Sequence, residues 1–320
     1  MPTKQDSPSP LSNEELRAIG IDPNGAKETI LVTGASGLIG SALVPFLISM
    51  GHTVKTLSRG LGDLTWDPEG GRVSLPEGSK FDVVVHLAGE NIAKGRWSSK
   101  RKEAISKSRQ RGTHVIATYL STLKYKPKVF LSASATGFYG ETGETLVSED
   151  SPAGSGFLPD VCAAWERASA PLLDNQETRV CALRFGVVLS PRGGALAKML
   201  PLFRLGLGGP LGDGQQWMSW IGIDDAIYAL YKVMMDSTLK GGVNVVSPTP
   251  IRNYDFTKTL GAKIRRPTFL RVPSWALNLA LGEMAQDLLL SSSRVAPTRL
   301  IKSGFRWKCA TFDEAVQSIL

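Results

Sequence analysis

The sequence predicts an α/β fold: a doubly wound parallel sheet with a smaller, mainly helical C-terminal lobe. Three observations carry this expectation. Apolar residues 30–33 lead into Gly34, Gly37 and Gly40, then Leu43, Phe46 and Leu47 recur at helical spacing before a second apolar run at 53–57, the order strand, tight turn, helix, strand. Short continuous apolar runs return at 81–87, 128–135 and 180–189, as expected of strands buried on both faces of a parallel sheet. Beyond Ser190 the alternation stops, and a glycine-rich stretch from Gly193 to Gly214 introduces segments that read as helices.

Taken in order, residues 1 to about 27 read as a polar, poorly ordered extension with one short helix at 13–18 capped by Ser12. The first strand, helix and second strand follow. Residues 60–80 form a Gly- and Pro-punctuated connection with a hairpin around 69–71. The strand at 81–87 ends in Ala88-Gly89-Glu90-Asn91, and Ser98 or Ser99 caps a helix that runs to about Tyr125. Pro127 resets the chain to the strand KVFLSASA, and residues 140–160 form a polar loop carrying Glu141, Glu144, Glu149 and Asp150. A helix at 162–173, a strand at 180–189 and a basic amphipathic segment at 196–205 precede Trp217 and Trp220. Asp224-Asp225 caps a helix to about Met235, 243–246 is a late strand, and helices follow SPTPIRNYDF and span VPSWALNLALG. The resulting division is an extension at 1–27, a sheet domain at 28–190 to which 221–248 returns, and a smaller lobe of 191–220 and 249–320 that covers the crevice of the sheet.

Composition bounds the function. A chain of 320 residues that is 42% hydrophobic can bury a substantial core. No apolar run approaches the ~20 residues of a membrane span, and the N-terminus lacks a signal-peptide layout. The net charge of +8 concentrates only at 94–111, with no aromatic interleaving beyond Trp97, so no nucleic-acid partner is expected. Three scattered cysteines argue against a disulfide framework or zinc site. Cys162 has no local histidine and reads as a buried thiol; no metal is expected. A reducing compartment follows, the cytoplasm or a plastid or other organelle.

The glycine turn suits a pyrophosphate, since the backbone can approach closely and the helix behind it offers unpaired N–H groups and a positive dipole end. The second strand ends beside the adenosine ribose, where an acidic residue selects a free 2′-hydroxyl and a basic one accepts a 2′-phosphate. Here the tip is Ser58-Arg59, with no carboxylate before Asp63. NADP(H) is therefore expected over NAD(H). The small residues Ala88 and Gly89 leave room for the cofactor, and the hydroxyls of Ser132 and Ser134 either meet a ligand or close a turn.

Together these segments resemble the extended short-chain dehydrogenase/reductase superfamily, through TGASGLIG at 33–40, HLAG at 86–89, Ser134, LRFG at 183–186 and IDDA at 223–226. They are similar more closely to an atypical, epimerase-like branch that includes vertebrate "epimerase family" members and bacterial and plastid cell-division-associated proteins. That likeness rests on LAGENI, Arg96-Trp97 with Ser108-Arg109, EDSPAG, Trp165-Glu166, FRLGLGGPLGDG and RVAPTRL, and it runs from about residue 28 to the C-terminus. The resemblance implies a Rossmann fold and NADP(H) contacts from Gly34, Ser36, Gly37, Leu38, Ile39, Gly40, Ser58, Arg59, Leu87, Ala88, Arg109 and Val188. It places Ser134 at the superfamily's catalytic hydroxyl position.

One departure matters. The superfamily's Tyr-x-x-x-Lys pair is missing: the registers available in the expected helix put Asp160 and Ala164, Val161 and Trp165, or Cys162 and Glu166 there. Tyr139 is the candidate substitute acid, with Glu166 or water as alternatives. Asn91, Trp165, Glu166, Arg184, Trp217, Trp220 and Arg294 are the candidate substrate contacts. Two functions stay open: an NADP(H)-dependent reductase or epimerase acting on a small, nucleotide-sugar-like substrate, and a non-catalytic NADP(H)-sensing protein read by a protein partner. An oligomer fits either.

Overall fold

The computed structural model describes residues 11–60, 62–173 and 177–320. Ser12 caps helix α1 (Asn13–Ala18) in a capping box with Glu15. Strand β1 (Thr29–Thr33) is followed by α2 (Leu38–Ser49), β2 (Thr53–Ser58), and the hairpin of β3 (Leu64–Asp67) and β4 (Arg72–Ser74). Next come β5 (Val83–His86), α3 (Ser99–Thr122), β6 (Val129–Ala135), a single 3-10 turn at Thr136–Tyr139, α4 (Phe157–Arg167), α5 (Ala170–Leu173) and β7 (Arg179–Phe185). The remaining elements are β8 (Val187–Leu189), α6 (Gly194–Arg204), β9 (Trp217–Met218), β10 (Trp220–Gly222), α7 (Ile223–Met235), β11 (Gly241–Val245), β12 (Ile251–Arg252), α8 (Asn253–Lys263), α9 (Ser274–Leu281), α10 (Glu283–Ala285), a π-helical turn at Gln286–Leu290, α11 (Thr298–Lys302) and α12 (Phe312–Ile319).

The main sheet has eight strands in the order β11-β7-β6-β5-β1-β2-β3-β4, parallel except for the β3–β4 hairpin. The chain leaves β1 for β2 on one side and later returns to β5 on the other. This reversal opens a crevice at the carboxyl ends of the strands, where such sheets bind ligands. Side chains alternate along each strand, so Ile30, Val32, Val85, Leu131 and Leu183 pack on Leu43 and Phe46 of α2 and on Ile227 and Tyr231 of α7. On the opposite face Leu31, Val84 and Phe130 pack on Ile116 and Leu120 of α3 and Leu172 of α5. A third core joins Leu189, Leu196, Phe203, Trp220, Phe256 and Phe312.

Three expectations change. Of the expected loose extension, residues 1–10 lie outside the described residues; in the rest, Leu16, Ile19 and Ile21 are buried in the first core because their apolar faces meet it. The run at 180–189 is two strands: Gly186 turns the chain out of the main sheet, and β8 pairs with β10. Asp224 and Asp225 lie inside the first turn of α7, whose N-cap is Gly222.

Candidate functional site

At the end of β1, Gly34 has φ +69°, and a Cβ there would lie 2.7 Å from the Leu87 carbonyl carbon. Only glycine lets the turn and the end of β5 come this close. The turn delivers the chain to α2, whose N-cap Gly37 offers no side-chain bond and whose first turn, Leu38, Ile39 and Gly40, holds no acidic residue. The first N–H groups of α2 are thus left for an anion. Leu38 lies against Gly193 and Gly194, just beyond β8, which carries Val188.

A cleft of about 290 Å³ opens in front of this turn. Gly34, Ser36, Gly37, Ser58, Arg59, Leu87, Ala88 and Gly89 all line it. Its far wall includes Trp66 and, from α3, Lys107 and Arg111. Trp66 was not singled out from the sequence, whereas Lys107 and Arg111 belong to the basic run at 94–111, which reads as a solvated helix face, a phosphate-binding surface or both. Arg59, Lys107 and Arg111 bring three positive charges to this end of the cleft, which Glu69 and Glu90 also line; Glu69 faces Arg111, Glu103 pairs with Lys107 and Glu90 pairs with Arg101. Beneath it, Thr33 Oγ1 lies 2.7 Å from His86 Nδ1 and accepts the Ala88 N–H. Burial pushes the His86 imidazole down to about 4, so it is neutral. Arg109 is not on this wall: it donates to the carbonyls of Glu90 and Ile105 and lies 4.9 Å over the Trp165 ring, whose N–H donates to Thr113.

Further along the strand ends is a buried polar network. Ser134 of β6, Arg184 of β7 and Asn244 of β11 occupy one rung across three strands. Ser134 Oγ donates to Glu166 Oε1 at 2.7 Å. Arg184 clamps Glu166 with Nε at 2.8 Å and Nη2 at 2.9 Å. Its Nη1 donates to Tyr139 Oη, which donates in turn to Asn244 Oδ1, both at 2.8 Å. Gly242 makes room, since a Cβ there would meet the Arg184 guanidinium at 2.7 Å. Burial opposes the Arg184 charge, but the bonds to Glu166 more than compensate and its pKa is raised. Asn244 was missed in the sequence; a lone amide inside the apolar run of β11 was the signal for it.

Several expected roles do not survive this placement. Tyr139 is buried, its pKa raised by desolvation and its proton held by Asn244; it anchors the network and is badly placed to serve as an acid. Trp220 is fully buried against Phe312 with its N–H on the Thr249 carbonyl, so it is a core residue out of reach of a substrate. Ser132 is also buried, donating weakly to the Ala133 carbonyl. Cys162, by contrast, is the buried thiol read from the sequence, and burial pushes it up to about 12, which makes it a poor nucleophile. Trp217 and Arg294 do come together, but with Arg252 and Glu144: the two guanidinium groups flank the indole at 4.4 and 4.6 Å, and the indole donates to Glu144. Asn91 is exposed, its side chain closing a turn onto the Ala93 N–H. Among the described residues no cluster of His, Cys, Asp and Glu could hold a metal ion, and no helix is long and apolar enough to cross a membrane.

The profile of the NAD dependent epimerase/dehydratase family matches residues 30–246, and a domain of unknown function, DUF1731, matches residues 272–319. Epimerase family protein Mb2239 of Mycobacterium bovis is 39% identical over 295 residues, covering 91% of this chain and 97% of its own. A chloroplastic SDR39U1 homolog of Arabidopsis thaliana is 36% identical over 306 residues, covering 91% of this chain and 86% of its own. The crystal structure of human epimerase family protein SDR39U1 with NADPH superposes with a TM-score of 0.85 at 33% identity, covering 91% of this chain and 98% of that one. A Thermus thermophilus UDP-glucose 4-epimerase in complex with NAD, at 19% identity and a TM-score of 0.71, shares the fold.

Proposed function

We propose that this chain, which belongs to the NAD dependent epimerase/dehydratase family, binds NADP(H) at the glycine turn and acts on a small molecule held beside Ser134. The observation that carries the cofactor is the cradle itself: a turn that a Cβ at Gly34 would fill, the open N-terminus of α2, and the end that carries Arg59, Lys107 and Arg111. The human relative crystallised with NADPH supports the same reading. Gly34, Ser36, Gly37, Leu38, Ile39 and Gly40 would hold the pyrophosphate, and Ser58 with Arg59 the 2′-phosphate.

Bound NADP(H) supplies the hydride chemistry. The protein's share is positioning. With its hydrogen on Glu166, Ser134 Oγ keeps lone pairs that accept a hydrogen bond from a substrate hydroxyl. Glu166 accepts that serine proton's hydrogen bond, and the two bonds from Arg184 fix the orientation of its carboxylate. The same geometry favours a second reading, an NADP(H)-responsive binding protein without turnover, because Tyr139 and Ser134 both direct their protons to internal acceptors.

Fluorescence titration tests the cofactor. NADPH is expected to bind about 10- to 100-fold more tightly than NADH, the worth of one charge-assisted contact, and Arg59→Ala to close most of that gap. Tighter binding of NADH would overturn the assignment. Nicotinamide oxidation in candidate substrates then separates the two functions: Ser134→Ala should abolish turnover, and turnover unchanged by it would remove Ser134 from the site.

A further inference from the structure

Two segments of the C-terminal half form one surface. Residues 204–212 and 266–272 run side by side: Arg266 Nε donates to the Arg204 carbonyl, Val272 N–H to Pro210 and Gly212 N–H to Val272. On this surface Leu205 and Phe269 are 72% and 73% exposed, and just beyond it on α9 Trp275 and Leu279 are 70% and 71% exposed. Trp275 and Leu279 are spaced i, i+4 and form one outward ridge, while Leu277 between them is buried. Single exposed apolar residues are ordinary; a group of this kind on joined segments marks an interaction site.

Charge indicates the occupant. Residues 191–212 and 256–282 contain no aspartate or glutamate. Arg204, Arg265, Arg266 and Arg271 are exposed among the apolar side chains. A second copy placed on this face by a two-fold axis would bring guanidinium groups against guanidinium groups without a carboxylate between them. An anionic bilayer surface meets both features at once, since Trp, Phe and Leu enter the interface while arginines meet the headgroups. We propose that this face docks the protein peripherally on membranes rich in anionic lipid.

Flotation with phosphatidylglycerol/phosphatidylcholine vesicles, against phosphatidylcholine alone, tests this with the full chain. Binding is expected only to the anionic vesicles and should weaken with salt. Trp275→Ser with Leu279→Ser, and separately Arg265→Glu with Arg271→Glu, should each lower binding about tenfold or more. NADPH titration should be unchanged in both, which shows that they fold. Wild-type protein that stays unbound at low salt would overturn the proposal, as would variants that bind like wild type. A concentration-dependent dimer abolished by the Trp275 and Leu279 changes, with no vesicle binding, would assign the face to a second copy instead.

Discussion

Glu166 sits in the buried polar network at the strand ends, and its partners fix what it does. Its carboxylate receives two bonds from Arg184 and one from Ser134, with Arg184 and Glu166 side chains only 7% and 16% exposed. A buried ion pair contributes little net stability, yet removing one member strands the other's charge. Glu166→Gln keeps the shape and removes the countercharge of Arg184. It is expected to lower unfolding stability by about 3–5 kcal/mol in urea titrations, whereas Ser134→Ala, which removes one hydroxyl donor to the carboxylate and leaves the ion pair intact, should cost about 1.5 kcal/mol. Equal losses in the two variants would mean that the guanidinium does not depend on this carboxylate. Tyr139→Phe belongs with Glu166 in this respect: it unpairs Asn244 Oδ1 and one Arg184 donor, so its effect should fall on stability rather than on any turnover.

Helix α7 carries a longer-range version of the same chemistry. Asp225, buried in its first turn, accepts the N–H groups of Lys308 at 2.7 Å and Cys309 at 3.0 Å, and so ties the C-terminal segment to the sheet domain. Burial pushes its carboxyl up to about 6 despite those two bonds, with Asp224 adding to the rise. The folded state therefore keeps this proton to higher pH than the unfolded chain. Between about pH 4 and 6 the folded protein binds more protons, so this group's contribution to stability falls as pH rises, by about 2–3 kcal/mol in all. Relative to Asp225→Asn, which does not titrate, wild-type stability should decline over that window in urea titrations; a difference independent of pH would refute the shift. None of this was visible in the sequence, where the Asp-Asp pair read as a helix cap because the two N–H groups it serves lie more than 80 residues away. Elements whose signals are local were legible, as in β1, the glycine turn, α2 and the Ser58-Arg59 tip, where apolar spacing and glycines agree. What depended on distant partners was not: the burial of Leu16 on the main core, the exit of the chain at Gly186, and the far wall of the cleft, where Trp66 and α3 meet.

At the scale of the whole molecule, the C-terminal residues matched to DUF1731 form part of the cores on which both halves of the chain depend. Leu300 and Phe305 are buried in the same core as Leu16, Phe46 and Tyr231, and Phe312 and Val316 in the core built on Leu189 and Trp220. Each such side chain contributes about 1.5–3 kcal/mol by burial, so four of them are comparable to the 5–15 kcal/mol that holds a typical domain folded. Asp225 would also lose both of its backbone donors, Lys308 and Cys309. A chain ending at residue 271 is therefore expected to fail to fold, rather than to survive as a nucleotide-binding domain that has lost a lid. Circular dichroism and NADPH titration of that truncation decide between these outcomes: loss of the cooperative transition together with cofactor binding is expected, and a truncated chain that melts cooperatively and binds NADPH as tightly as the full chain would show that the segment is an independent cover.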